Sequence, residues 1–183
     1  PLRVLFVGRL VAEKGLLTLI NAVCALNRPV TLWVLGEGPL APSLPATVKD
    51  FPQIELKVTG HANIDQVVGA MAWSHIVGVP SESTATWKEQ WGRVAVEAML
   101  SGRPTIVSDN GELPNLVQDS HLVFPEGDVD RLAEILTELD NNRDALPVIG
   151  HQMRLSAGRF APAVLNEKLN TFWDEILGAR KTA

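Results

Sequence analysis

Six short apolar runs, separated by turns and by stretches of helical spacing, constrain this chain more than any other feature. The first, Leu2 to Val7 (L-R-V-L-F-V), is rich in branched side chains and closed by Gly8, the pattern of a strand buried on both faces. Val30 to Leu35, Ile54 to Val58, Ile76 to Val79, Pro104 to Val107 and Leu122 to Phe124 complete the set. Helical spacing is expected from about 15 to 26, with apolar residues at 16, 17, 19, 20, 23 and 26. It recurs weakly up to about 50, then at 63–73, 92–100, 128–140, 143–157 and 162–177, while Pro80 to Gln90 reads as polar and irregular. Strands alternating with helices demand a mostly parallel sheet covered on both sides. The expected fold is therefore α/β, a doubly wound, Rossmann-like sheet of six strands, in which ligands bind beyond the carboxyl ends of the strands.

The length of 183 residues suits one domain, and no repeat or Gly-, Ser- or Pro-rich linker divides it. The chain starts at Pro1 and enters a strand-like run at once, so it reads as a piece of a longer protein. A net charge of −5 leaves no broad basic face for a nucleic-acid backbone. Four scattered His and the single Cys24, in an apolar helical pattern, have no metal-ligand spacing and permit no internal disulfide. No apolar run approaches the ~20 residues that cross a bilayer. Neither metal nor cofactor is expected, and a cytoplasmic location is.

Candidate chemistry lies where strands end. After the first strand, Gly8-Arg9-Leu10-Val11-Ala12-Glu13-Lys14-Gly15 sets two cations between glycines ahead of a helix, an arrangement suited to a pair of phosphates; solvated surface cations are the competing reading. Gly36-Glu37-Gly38 follows the second strand and lacks the third glycine of a dinucleotide fingerprint. It is a plain turn, or a turn that lets a ligand approach the backbone closely. Gly60-His61 offers a further ligand loop or a surface histidine, and Ser108 to Asn115 a turn whose N–H groups could face an anion.

The stretch Glu89-Gln90-Trp91-Gly92-Arg93-Val94-Ala95-Val96-Glu97-Ala98-Met99-Leu100 is the most informative. Glu97 stands among apolar residues, where an unpaired buried carboxylate would cost several kcal/mol, so a partner is expected. Eight residues at helical rise put Glu89 and Glu97 roughly 12 Å apart. That is too far for one metal ion and suits the two ends of an extended ligand, such as a ribose and a second sugar, each held through hydroxyls.

In order along the chain stand Gly-Arg at 8–9, Lys-Gly at 14–15, Gly-Glu-Gly-Pro at 36–39, Pro-Ser at 80–81, Glu89 and Glu97, Glu-Ala-Met at 97–99 and Gly-Arg-Pro at 102–104. This ordered set, over about residues 3 to 140, resembles the C-terminal, donor-binding domain of the retaining group 1 (family four) glycosyltransferases of GT-B fold. The resemblance implies that Arg9 and Lys14 hold the pyrophosphate of a UDP-, GDP- or ADP-sugar. It implies that Glu89, with the N–H groups of Gln90, Trp91 and Gly92 nearby, meets the donor sugar, and that Glu97 binds the ribose hydroxyls. Arg9, Lys14 and Glu89 are thereby the candidate catalytic residues, and Gly8, Gly15, Gly36 and His61 join Gln90, Trp91, Gly92 and Glu97 as candidate donor contacts. No metal is needed. Three positions depart from the commonest pattern: Trp91 stands where Phe is usual and is expected in the core, Asn115 stands where Glu is common and is given no role, and Ser81 to Lys88 is longer than in many members.

Residues 1–183 would then form one half of a two-domain enzyme, with the N-terminal acceptor domain absent, any membrane contact left to that domain, and residues 162–177 returning to it as a crossover helix. The isolated half is expected to be inactive. Competing readings are a nucleotide-sugar-binding module or pseudo-enzyme, or an epimerase or phosphorylase of the same fold. A phosphorylase would require a pyridoxal-phosphate lysine, for which no candidate is positioned. A dehydrogenase is disfavoured by the incomplete glycine pattern.

Overall fold

The computed structural model describes residues 1–160 and Val164. In chain order its regular elements are β1 (Leu2–Val7), α1 (Leu16–Ala25), β2 (Val30–Leu35), α2 (Leu44–Thr47), β3 (Ile54–Thr59), α3 (Ile64–Trp73), β4 (Ile76–Val79), α4 (Arg93–Leu100), β5 (Thr105–Ser108), α5 (Leu113–Val117), β6 (Val123–Phe124), α6 (Val129–Asn141) and α7 (Leu146–Ala157). Short 3₁₀ turns precede α1, α2, β6 and α7. The expected helix at 162–177 lies outside the described residues. No helix among the described residues is long and apolar enough to cross a membrane.

All six strands pair in parallel, in the order β3-β2-β1-β4-β5-β6. The chain lays down β1, β2 and β3 outward to one edge, returns to place β4 beside β1, and continues to the other edge. The order reverses between β1 and β4, and there the loops leaving neighbouring strands turn to opposite faces and open a crevice. Every residue of β4 and β5 is buried, as central parallel strands covered by helices on both faces must be. The edge strand β3 instead exposes Glu55 and Lys57, which pair at 3.3 Å, and charge on an edge discourages strand addition.

On α1, Leu16, Leu19, Ile20 and Val23 repeat at helical spacing and are buried. Leu19 packs against β4 at Gly78, where an added Cβ would stand 3.0 Å from the leucine methyl. α1 also packs on α6, and Arg28 just beyond it donates to Asp140 at 3.2 Å and Asn141 at 2.6 Å. Asn63 caps α3 reciprocally with Gln66, each side chain accepting from the other's backbone N–H at 2.9 Å. The weak helical pattern before residue 50 becomes a 3₁₀ turn (Ala41–Ser43) and one helical turn (Leu44–Thr47), each with a proline in its first turn. β5 begins at Thr105, one residue later than expected, because Pro104 has no N–H to enter the ladder; its carbonyl still accepts from Val77 at 2.9 Å.

The loop from β1 is locked to the end of β4. Gly15 caps α1 in the left-handed region (φ 64°), and a Cβ there would lie 1.7 Å from the Pro80 carbonyl oxygen. Gly127 has a similar φ of 74° but open space around it. Gly127→Ala should therefore cost only the left-handed backbone penalty, about 1–2 kcal/mol, whereas Gly15→Ala should cost at least about 2 kcal/mol more, since backbone must move. Urea denaturation of the two variants measures this; equal losses would refute the role given to the Gly15–Pro80 contact.

Candidate functional site

The site is built on main chain first. The turn after β2 passes so close to the loop after β1 that a Cβ on Gly36 would lie 1.8 Å from the Gly8 carbonyl oxygen. Backbone bonds from Gly8 to Leu35 (3.0 Å), from Leu10 to Glu37 (2.8 Å) and from Leu40 to Leu10 (3.1 Å) hold the two loops together. The Gly-x-Gly turn thus serves contact between loops of the protein itself and brings both into one wall.

From this wall Arg9 projects outward, its side chain 64% exposed, with Glu13 at 3.5 Å. Lys14 ends the short 3₁₀ turn, and the left-handed Gly15 behind it aims the lysine toward the loop after β4. Its Nζ donates to Glu89 Oε2 at 2.6 Å, with side chains only 21% and 14% exposed. Ser81 donates to the same oxygen at 3.1 Å, and the Gly92 N–H approaches Oε1 at 3.4 Å. Glu89 is also fixed through its backbone: its N–H donates to Asn110 Oδ1 at 2.7 Å and its carbonyl accepts from Glu112 at 3.1 Å. Burial pushes the Glu89 carboxyl up, but the Lys14 bond and charge, then Ser81 and the Gly92 N–H, outweigh it and hold the group below its ordinary range.

The longer segment 81–88 closes through a bridge between Thr84 and Trp87, which lays the Trp87 indole over Lys14, with Nζ 4.6 Å from the ring centroid. Lys14 therefore lies between a carboxylate and an aromatic face.

At the other end of the site Glu97 takes up Arg93 one helical turn earlier, at 3.5 Å. The expected partner exists, but the expected burial does not: Glu97 is 38% exposed, because Ala95, Val96, Ala98 and Met99 take the core side of α4 and leave the 93/97 face outward. His61 is exposed, and its backbone N–H donates to Glu37 at 3.0 Å.

Two adjoining cavities cover this ground. One, of about 310 Å³, is lined by Gly8, Arg9, Lys14, Ser81, Glu89 and Gly92 among others. The other, of about 640 Å³, includes Arg9, Gly36, Glu37, His61, Arg93 and Glu97. They share Gly8, Arg9 and Arg93, forming one cleft across the carboxyl ends of β2, β1 and β4. Eight residues singled out in the sequence, Gly8, Arg9, Lys14, Gly36, His61, Glu89, Gly92 and Glu97, line it. Gly15 supports it through Pro80.

Gln90 and Trp91 adjoin Glu89 in the chain but line neither cavity. Trp91 is not in the core; it is 51% exposed and stands edge-on to Phe160 at 5.7 Å. Ser81, Glu37, Trp87, Arg93 and Asn110 were missed. Arg93 carries a signal in its i,i+4 spacing to Glu97, and Ser81 and Asn110 lie within the Pro-Ser pair and the 108–115 turn; Glu37 and Trp87 come to the site through loop folding.

A sequence profile described as Glycosyl transferases group 1 matches residues 1–142. An uncharacterized glycosyltransferase of Methanocaldococcus jannaschii is 27% identical over 180 residues, which cover 97% of this chain and 46% of that protein. The 2-deoxystreptamine glucosyltransferase of Streptomyces kanamyceticus is 31% identical over 160 residues, 84% of this chain and 39% of that one. The chain thus spans less than half the length of either relative. Among solved structures, Anabaena HepE in complex with UDP and glucose superposes with a TM-score of 0.79 at 22% identity, covering 94% of this chain and 48% of that one. Sucrose-phosphate synthase from Thermosynechococcus elongatus gives 0.82 at 22% identity, covering 97% and 46%.

The lowered Glu89 pKa has a definite sign. A carboxyl whose folded pKa lies below its unfolded value of 4.5 contributes stability that is present above that value and lost as pH falls through the lowered one. Glu89→Gln should accordingly be less stable than the parent at pH 7, with the gap closing as both are taken to about pH 3. Urea midpoints across that range give the test, and a gap independent of pH would remove the Lys14–Glu89 pair as its source.

Proposed function

Because this chain belongs to the group 1 glycosyl transferases, we propose that it is the donor-binding half of a two-domain, metal-independent enzyme transferring a sugar, with retention, from a nucleotide diphosphate sugar to an acceptor hydroxyl. One observation carries the reading: in a continuous cleft where the strand order reverses, Lys14 meets Glu89 at one end, Arg9 lines both adjoining cavities, and Glu97 stands toward the other end. HepE, of the same fold, has been solved with UDP and glucose and with UDP-glucose, which supports a nucleotide sugar as the ligand class. The share of the relatives that the chain covers supports a second domain that brings the acceptor.

In this reading the diphosphate lies over the β1 loop between Arg9 and Lys14, the ribose hydroxyls reach Glu97, and the sugar faces Glu89. The bond from the anomeric carbon to the diphosphate breaks, the acceptor oxygen bonds to the same carbon, and the acceptor proton leaves with the diphosphate. Negative charge grows on the leaving oxygen as that bond stretches, and two fixed cations stabilise it more in the transition state than in the ground state. Lys14 starts paired with Glu89. A dianionic diphosphate competes for it against a single carboxylate, and the carboxylate so released becomes an acceptor for donor-sugar hydroxyls.

Calorimetry of the folded chain with UDP, GDP and ADP should show binding of at least one, weakened about tenfold or more by Arg9→Ala or Lys14→Ala, the range of a lost charge-assisted hydrogen bond. No binding of any of the three would overturn the reading. In the full-length enzyme the same substitutions should lower kcat, with NMR of the product reporting the anomeric configuration; unchanged kcat in both would remove the leaving-group role, and an inverted product the retaining one.

A further inference from the structure

At the opposite edge of the sheet, where β4 and β5 begin, lies a third cavity, of about 510 Å³. Arg103, Arg143, Arg154, His75 and His151 line it, and its remaining lining residues, 101, 102, 104, 146 and 147, are neutral. Among the described residues no carboxylate lines it. Arg143 is held by Asp140, which also takes Arg28. Arg103 and Arg154 have no carboxylate within 4.0 Å among the described residues.

Arg103 is anchored, its guanidinium donating to the Ser74 carbonyl at 3.0 Å. Yet its Nε is buried with no hydrogen-bond partner among the described residues. A buried guanidinium N–H without an acceptor is a cost to the fold. Burial first, then the charges of Arg3, Arg143, the N-terminal amine and Arg103, push His75 down to about 4, so it stays neutral. From α7, Pro147, His151 and Arg154 lie at i, i+4 and i+7 and all turn to the cavity.

We propose that this cavity is a second anion site, separate from the sugar-transfer cleft, which takes an anionic phosphate group between Arg103 and Arg154. The guanidinium of Arg103 is pre-positioned by its bond to Ser74, and Arg154 brings a second fork that matches phosphate oxygens. Four residues of β4 separate the two edges, about 13 Å at strand rise, so one phosphate cannot serve both places. The site does not depend on the function proposed for the cleft. The phosphate can arrive on a soluble ester or on a lipid headgroup; the chemistry is shared, and the measurements distinguish the two.

The chain, ¹⁵N-labelled, is titrated with inorganic phosphate at 0.15 M NaCl, and separately mixed with vesicles of phosphatidylglycerol or phosphatidylcholine. A soluble ligand predicts saturable shifts at the amides of Gly102, Arg103 and His151, weakened at least about tenfold by Arg154→Ala, while shifts at Gly8 and Gly92 are unchanged by that substitution. A headgroup predicts co-sedimentation with phosphatidylglycerol alone, lost in Arg154→Ala. Arg154 is exposed, so this variant should fold; Arg103→Gln gives the second measurement, with circular dichroism to verify its fold. Absence of both phosphate shifts and vesicle binding, or equal responses in the folded variants, overturns the proposal.

Discussion

The parallel pairing of β1 with β4, two strands about seventy residues apart in the chain, is the constraint on which the cleft depends. It brings the loops leaving both strands together at the reversal of sheet order, and the sequence must then let two backbones share one space. Gly15 does so by having no side chain where the Pro80 carbonyl stands. Further bonds brace the same seam: the Glu82 N–H donates to the Glu13 carbonyl at 2.9 Å, and Thr18 donates to the Glu82 carboxylate. Lys14 and Glu89 face each other because this seam is closed, so their geometry inherits the rigidity of the central strands rather than the freedom of surface loops.

An ion pair so little exposed is costly to break by removing one partner and cheap to rearrange by supplying another. That asymmetry suits a ligand site. With the cleft empty, Glu89 satisfies Lys14 and keeps an unpaired ammonium from being buried; Ser81 and the Gly92 N–H share the carboxylate, so it is never without donors. Arg9 has no such shelter, since its partner Glu13 lies at 3.5 Å on an exposed face, and an exposed pair of that kind contributes little. The two cations of the loop therefore differ in kind: one is held within the wall, the other stands exposed at its rim.

The strands were legible because burial on both faces forces a compositional signature, and β1 and β2 have the bounds that their apolar runs give. The helices were legible where one face is buried, as in α1. Site residues were legible where they sit at strand ends, which fixes their position whatever their partners. The Lys14–Glu89 contact was not, since it spans 75 positions and depends on the β1–β4 register. Nor was the exposure of Glu97: apolar neighbours in sequence do not mean apolar neighbours in space on a helix, where residues 93 and 97 share a face that 95, 96, 98 and 99 do not. Trp91 misled for a related reason. Its aromatic bulk suggests core, but the turn into α4 directs it outward against Phe160, where a large amphipathic ring can still cover surface.

A chain of net charge −5 can gather Arg103, Arg143 and Arg154 around one cavity only where its carboxylates are committed elsewhere. The ion pairs have that distribution. Asp140 holds Arg28 and Arg143 across the α1–α6 packing, and Glu134 and Glu138 flank Arg131 on the outer face of α6. These pairs stitch helices or solvate a face. At the carboxyl edge the cations are balanced by Glu13 and Glu89, both within reach of a competing anion; at the amino edge Arg103 and Arg154 face a cavity that no carboxylate among the described residues lines. Net charge constrains only the far field that a polyanion would meet. Within a Debye length of ~8 Å, the arrangement of individual guanidinium and ammonium groups, rather than the net charge, sets the field that a small ion meets.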